Sequence, residues 1–412
     1  MPPEPAPRRS WRPFAAILVG AAVVLLALLF AGKVSRKMPD FEVYWTAAVR
    51  ARAAEPLYRA EDGHYQFKYL PAFAVLAIPA GLVPLPVAKA VWFTISIVLL
   101  VALVAFSLAL LPEARKPRWL LVTIALVAML KFFAHEVVLG QVNTLLAVIV
   151  VLLLLAIRLG RETAAGLLIG LAVVVKPYAI LFLPWLLARL RAWGPAMREV
   201  PEGGRPPLRA PQRRSGHGRR ALAAALATLA AALALPALAY GVSGNIGLHR
   251  SWWRTVTETT APNLTNADNV SIAAMYAKWI GAGHTATVLS FATIAILLAA
   301  AALVFIRRGA LPFPEGLEGA LLLTYVPLLS PQGWDYVFLV STPAIVFLAN
   351  YEDRLPRLLR LLAAAAVATI GLSLYDLMGR AAYSVFMAWS VVTVCYFVVI
   401  AALCTLRVRA VA

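Results

Sequence analysis

The residues best equipped for chemistry are few and widely spaced. The stretch "KMPDFEVYW", residues 37–45, places Asp40 and Glu42 just after the first long apolar run. A carboxylate so close to a bilayer is costly unless it is solvated, paired or used. Asp40 could take a proton as a general base, or it could cap an interfacial helix starting at Phe41. Lys176 stands between two apolar segments in "VVVKPYAIL". It must face a polar cavity, where it would neutralise an anion, or snorkel to the surface. "HEVVLGQVN" brings His135, Glu136, Gln141 and Asn143 into one short turn. His135 and Glu136 are adjacent and point in different directions on a helix, so no dyad between them is implied. "NADNVSIAAMYAKW" contributes Asn269 and Ser271, and "SPQGWDY" contributes Trp334, Asp335 and Tyr336. Lys68 and Arg59 are solvated basic residues of the first loop, and His249 is one of two histidines in the late one.

These residues have to be positioned by membrane helices. The chain has 412 residues, 62% hydrophobic and 14% charged, against about 45–50% apolar for a soluble domain. Apolar runs recur from residue 14 to residue 405, which leaves no room for a separate soluble domain. We expect an all-α polytopic membrane protein, a single domain over 1–412. Twelve spans are expected, at 14–31, 86–111, 118–134, 142–158, 164–176, 178–190, 221–240, 285–306, 317–331, 334–350, 358–375 and 383–405. Residues 70–84 are too short and too rich in proline to cross ~30 Å, and are expected to be half-inserted. The first apolar run follows Arg8, Arg9 and Arg12 and reads as an uncleaved helix rather than a signal peptide.

The net charge of +19 does not indicate nucleic acid. Most basic residues fall in loops that one consistent orientation puts inside, as the positive-inside rule requires. Both termini are then cytoplasmic, and 191–220 is a basic cytoplasmic loop lying on anionic lipid. Two outer loops carry the polar and aromatic residues: 32–85, with interfacial helices, and 241–284. Chemistry belongs on that face. Trp252 and Trp253 read most simply as part of an interfacial aromatic belt. The two cysteines, Cys395 and Cys404, are nine residues apart on one helix and face opposite ways. A disulfide framework and a zinc site are both unexpected. The five histidines show no HxxxH or HExxH spacing.

Five stretches occur in order: "DFEVYWTAA…EPLY…FKYLPAFAVLAIP", "GQVNTLL", "AAGLLIGLAVVVKPYAILFLPWLL", "NVS" and "LLSPQGWDY". Together, over residues 40–345, they resemble the GT-C class of membrane glycosyltransferases, specifically the family-87 polyprenol-phosphate-mannose-dependent mannosyltransferases. The resemblance implies a GT-C helical bundle in an inner (plasma) membrane. It also implies transfer of a sugar, by the family mannose, from a polyprenyl-phosphate donor to a glycolipid or lipid-linked glycan on the outer face. Inversion needs one base, and the family's acidic residue in the first outer loop matches Asp40. Lys176, with Lys68 and Tyr336, would meet the donor phosphate. Gln141, Asn143, Asn269, Ser271, Trp334, Asp335 and His249 would contact sugar or acceptor. Relatives carry histidines just after the Trp, where this chain has Asp335, Tyr336 and Val337, so no histidine role carries over to those positions. There is no Asp-x-Asp, and neither metal nor cofactor is expected. The rival readings are a lipid or sugar transporter or flippase, and a glycan polymerase or ligase using a lipid-diphosphate donor. The first would favour an internal repeat, which is not found. The second would favour a late loop richer in Arg and His.

Overall fold

The structure is a computed structural model and describes residues 24–192, 217–306 and 313–409. Every regular element among them is helical, and one isolated antiparallel bridge joins Asn269 to Trp334. The start of the first expected span and most of the basic loop 191–220 lie outside the described residues.

Among the described residues, four helices are long and apolar enough to cross a membrane: Leu85–Ala109, Arg118–Leu139, His284–Ile306 and Val391–Arg409. At 1.5 Å per residue each comes close to or exceeds the ~30 Å hydrocarbon thickness. Leu85–Ala109 and His284–Ile306 expose Val91, Val98, Val101, Phe291 and Ile296, a surface suited to lipid rather than water. A fifth candidate is the pair Gly218–Ala234 and Ala237–Asn263, bent by 87° at its break.

The other expected spans are shorter helices. Asn143–Arg158, Glu162–Val175, Pro314–Leu329 and Arg357–Leu372 have 14–16 residues. Thr342–Tyr351 follows a 3-10 segment, Asp335–Ser341. The run 383–405 is divided into Arg380–Ala388 and Val391–Arg409, with Ser390 at φ 52° between them. Residues 70–84 form two short pieces, Pro71–Leu76 and Ile78–Leu82, packed on Pro39–Arg52. The late segment 241–284, expected as a loop, is largely helical, with Ala237–Glu258 and Ile272–Ile280. Its mixed polar and aromatic composition hides this in the sequence, because it carries no long apolar run.

The core lies around Asn143–Arg158 and Pro314–Leu329, both buried almost all round. Glu162–Val175 packs on His217–Ala234 through Gly166 and Gly170. An added Cβ at Gly166 would sit 2.1 Å from the Ala221 carbonyl oxygen, so small residues four apart are what allow the helices this close. Buried Glu318 accepts from Arg189, Trp185 Nε1 (2.9 Å) and Arg407 Nε (2.8 Å). It ties three helices at one end of the bundle. Residue 330 lies about 18 Å further along that helix, at the end where the polar residues gather.

Candidate active site

The position of Asp40 is set by two interlocked chain reversals. Met38, buried and left-handed at φ 64°, precedes the helix Pro39–Arg52. Its N–H donates to the Val138 carbonyl at 2.9 Å. Gly140 ends the helix Arg118–Leu139 at φ 71°. A Cβ there would come 2.7 Å from the Phe41 Cβ and 3.0 Å from the Met38 Cε. Trp92 Nε1 donates to the Gly140 carbonyl at 2.9 Å, and its ring stacks on Phe41. Only glycine meets both the dihedral and the approach. Gly140→Ala is therefore expected to cost at least ~1–2 kcal/mol from the left-handed backbone alone, with more from the contact. A thermal-unfolding series in detergent checks this, and an unchanged midpoint would refute it.

The turn delivers Gln141 to Asp40. Gln141 Nε2 donates to Asp40 Oδ2 at 2.7 Å and lies 3.2 Å from the Tyr336 hydroxyl. Its Oε1 accepts from Tyr44 at 3.0 Å and from Tyr69 at 3.2 Å, and those two hydroxyls are 2.6 Å apart. One amide thus joins four side chains from distant parts of the chain. The helix begins at Pro39 and has no side-chain cap, so Asp40 is not its cap. Burial raises the Asp40 pKa, outweighing the Gln141 hydrogen bond and the positive fields of Lys176, His64 and Lys68. Lys68 is lowered by burial, with Asp40 opposing.

Lys176 is extended at φ −147° and ψ 118°, the conformation favoured before a proline. Its ammonium lies 5.5 Å from the ring centres of both Tyr69 and Tyr178. Beneath it, Tyr178 donates to Asn143 Oδ1 at 3.4 Å. Asn143 Nδ2 then donates to Glu136 Oε2 at 2.8 Å. Glu136 also accepts from the Thr144 N–H at 2.7 Å, so this buried carboxylate occupies the free amide end of Asn143–Arg158.

A cavity of about 850 Å³ opens over these groups. Asp40, Lys176, Lys68, Gln141, Tyr336 and Trp334 line it, as does Asp335. Asp335 is only 1% exposed. It is paired with Lys131 at 2.9 Å and lies 3.5 Å from His135 Nδ1, so its carboxylate holds neighbours instead of presenting itself to a ligand. Three expected contacts have structural work and lie off the cavity. Asn143 is buried as described above. Asn269 donates to the carbonyls of Asn263 and Pro331 at 2.9 Å and accepts from the Ser271 N–H. Ser271 caps Ile272–Ile280 through the Ala274 N–H. His249 lies 3.2 Å from the Leu233 carbonyl, also away from the cavity. Glu42 pairs with Lys89 at 2.5 Å and Arg59 with Glu55. Trp252 lines the cavity and donates to the Lys68 carbonyl.

Tyr44, Tyr69 and Tyr178 were not singled out by the sequence, since tyrosines near a membrane edge are ordinary. Lys131 and His135 had a better signal, a cation and an imidazole within one apolar helix. Their partner Asp335 is 200 residues distant from His135. It reaches them because Gly333 lets its strand-like segment press against a helix end: a Cβ there would lie 1.9 Å from the Pro327 carbonyl oxygen.

A family model described as glycosyltransferase family 87 matches residues 67–331. No curated protein and no solved structure matches the chain. The matched region includes Lys68, Gln141 and Lys176, and stops short of Asp40 on one side and Trp334 on the other. The fold brings both flanks to the matched region's cavity. With more than half of its length matched, this chain belongs to glycosyltransferase family 87.

Proposed function

We propose that the protein transfers a sugar, mannose by the family resemblance, from a polyprenyl-phosphate donor to a glycolipid or lipid-linked glycan. In this reading the cavity opens on the outer face of the inner membrane. The bundle crosses about twelve times, counting the short helices, and both termini are cytoplasmic. The loop charges support that orientation.

The observation that carries the reading is Asp40, held by Gln141 at 2.7 Å in a cavity shared with Lys176 and Lys68. The acceptor hydroxyl oxygen attacks the anomeric carbon while its proton passes to Asp40. The bond from that carbon to the phosphate oxygen breaks, and the polyprenyl phosphate departs with the electron pair. Lys176 and Lys68 meet the negative charge that develops there. One displacement inverts the anomeric centre. Among the described residues no group of three or more His, Cys, Asp and Glu could hold a metal ion, and the steps above use only the chain's own side chains.

The test is sugar transfer by purified protein from polyprenyl-phosphate mannose to a membrane lipid extract, followed by mass spectrometry. Gain of one hexose by a lipid product is the expected result. A donor that binds yet yields no product with any lipid fraction would sink the proposal.

The raised Asp40 pKa makes a second expectation. A general base works deprotonated, so activity falls as pH drops through its pKa. The acidic limb of kcat/KM should therefore lie above the ordinary aspartate value of about 3.9. Gln141→Met removes the hydrogen bond that favours the carboxylate, and should move that limb to higher pH. A limb identical in both proteins would count against Asp40 as the titrating group.

A further inference from the structure

Away from Asp40, the cavity wall has a different chemistry. The last turns of Arg118–Leu139 present His135, whose side chain is 45% exposed. Asp335 and Lys131 behind it are 1% and 3% exposed. Asp335 Oδ1 faces His135 Nδ1 at 3.5 Å, and its other oxygen is held by Lys131 at 2.9 Å. Lys131 in turn lies 4.9 Å from the ring centre of Tyr383, and the Asp335 N–H is fixed on the Asp268 carbonyl at 3.0 Å. A buried ion pair thus grips one edge of an exposed imidazole. Nε2 is the remaining edge, and it makes no hydrogen bond among the described residues.

The two ends of the cavity also differ in charge. Lys68 and Lys176 act on Asp40 from the cavity wall, a pair of cations suited to phosphate. Beside His135 the lining cation Lys131 is taken up by Asp335. Asp268 and Asp376, both exposed there, add carboxylates without adding cations. The nearby Lys278 donates to the carbonyls of Ala267 and Asn269 at 2.8 and 2.7 Å. Tyr375 and Tyr383 add aromatic faces. With Lys131 and Lys278 both engaged, this wall offers a phosphate no free cation among the residues just named. A polyol would find carboxylate acceptors, the free Nε2 of an imidazole as one hydrogen-bond partner, and apolar ring faces for its C–H surfaces.

We infer that this wall is a subsite for uncharged sugar units of the acceptor, with His135 as the contact residue and Asp335 and Lys131 as its positioning pair. The inference rests on the transferase reading above and divides its cavity into a phosphate end and a glycan end. It also explains why Asp335 is buried: its work is to orient His135.

The experiment measures equilibrium binding of a neutral methyl mannobioside to the full-length protein in detergent, by intrinsic tryptophan fluorescence. The same titration is run on His135→Ala, His135→Gln and Lys176→Met. The expected result is saturable binding that His135→Ala weakens about ten-fold, as for one lost hydrogen bond. His135→Gln should recover part of the loss, and Lys176→Met should bind as the wild type does. No saturable binding by the wild type, or a loss confined to Lys176→Met, would overturn the subsite. Transfer is assayed separately, so glycoside binding without sugar transfer would remove the transferase reading and leave the glycan subsite standing.

Discussion

Asp40→Asn is expected to slow sugar transfer by about 10²–10⁴-fold, the usual worth of a positioned general base, while the donor still binds. Asparagine keeps the shape and leaves an oxygen for Gln141 Nε2, which now lies 2.7 Å from Asp40 Oδ2. The hydroxyls of Tyr44 and Tyr69 keep their acceptor on Gln141. What disappears is a group that can take the proton. Single-turnover transfer, compared with donor binding on the same preparations, separates the two effects. A rate within ten-fold of the wild type would remove Asp40 from the role of base. Stability supplies a control whose sign can be worked out. The Asp40 pKa is higher in the folded chain than in the unfolded one. Folding therefore loses stability as pH rises from the unfolded value through the folded one. Asparagine carries no such cost at neutral pH, so the variant should unfold no earlier than the wild type. An inactive variant that is also less stable would point to damage instead of a lost base.

Lys176→Met is expected to lower kcat/KM for the donor by about 10²-fold, comparable to losing one preorganised group that stabilises developing charge, with acceptor binding unchanged. Methionine retains an unbranched stem to pack between Tyr69 and Tyr178, where the ammonium now sits 5.5 Å from each ring centre. Removing a buried cation usually strands its counter-charge. Here Glu136 is already satisfied by Asn143 Nδ2 at 2.8 Å and the Thr144 N–H at 2.7 Å, so the fold should survive. The value is read from steady-state transfer at varied polyprenyl phosphate sugar. An unchanged value would mean that the phosphate is met elsewhere, with Lys68 next in line.

What was legible in the sequence is what depends on local composition. Long apolar helices such as Leu85–Ala109 and His284–Ile306 could be placed within a residue or two, because 20 apolar side chains suit only a lipid environment. The break at Lys176 and Pro177 was equally local, since a proline lacks the N–H a helix interior needs and turns the residue before it away from helical backbone. The segment 70–84 was recognised as too short to cross. Asp40 and Lys176 stood out because charge beside apolar sequence is costly and must be compensated.

The compensation itself could not be read, because the partners are remote. Gln141 reaches Asp40 across 101 residues and Tyr336 across 195. Asn143, Asn269 and Ser271 show the same limit from the other side. In sequence, each serves equally well as a ligand contact or as a partner for backbone and buried charge. Tertiary packing gave them the second task by burying them completely. His135 went the opposite way, passed over beside Glu136 and then exposed at the cavity with Asp335 behind it. The sequence by itself determined which side chains had to be paid for, since desolvation belongs to a residue and its neighbourhood. Only the tertiary structure decided which of them meet, because hydrogen bonds and ion pairs act over a few ångströms and depend on how distant segments are brought together.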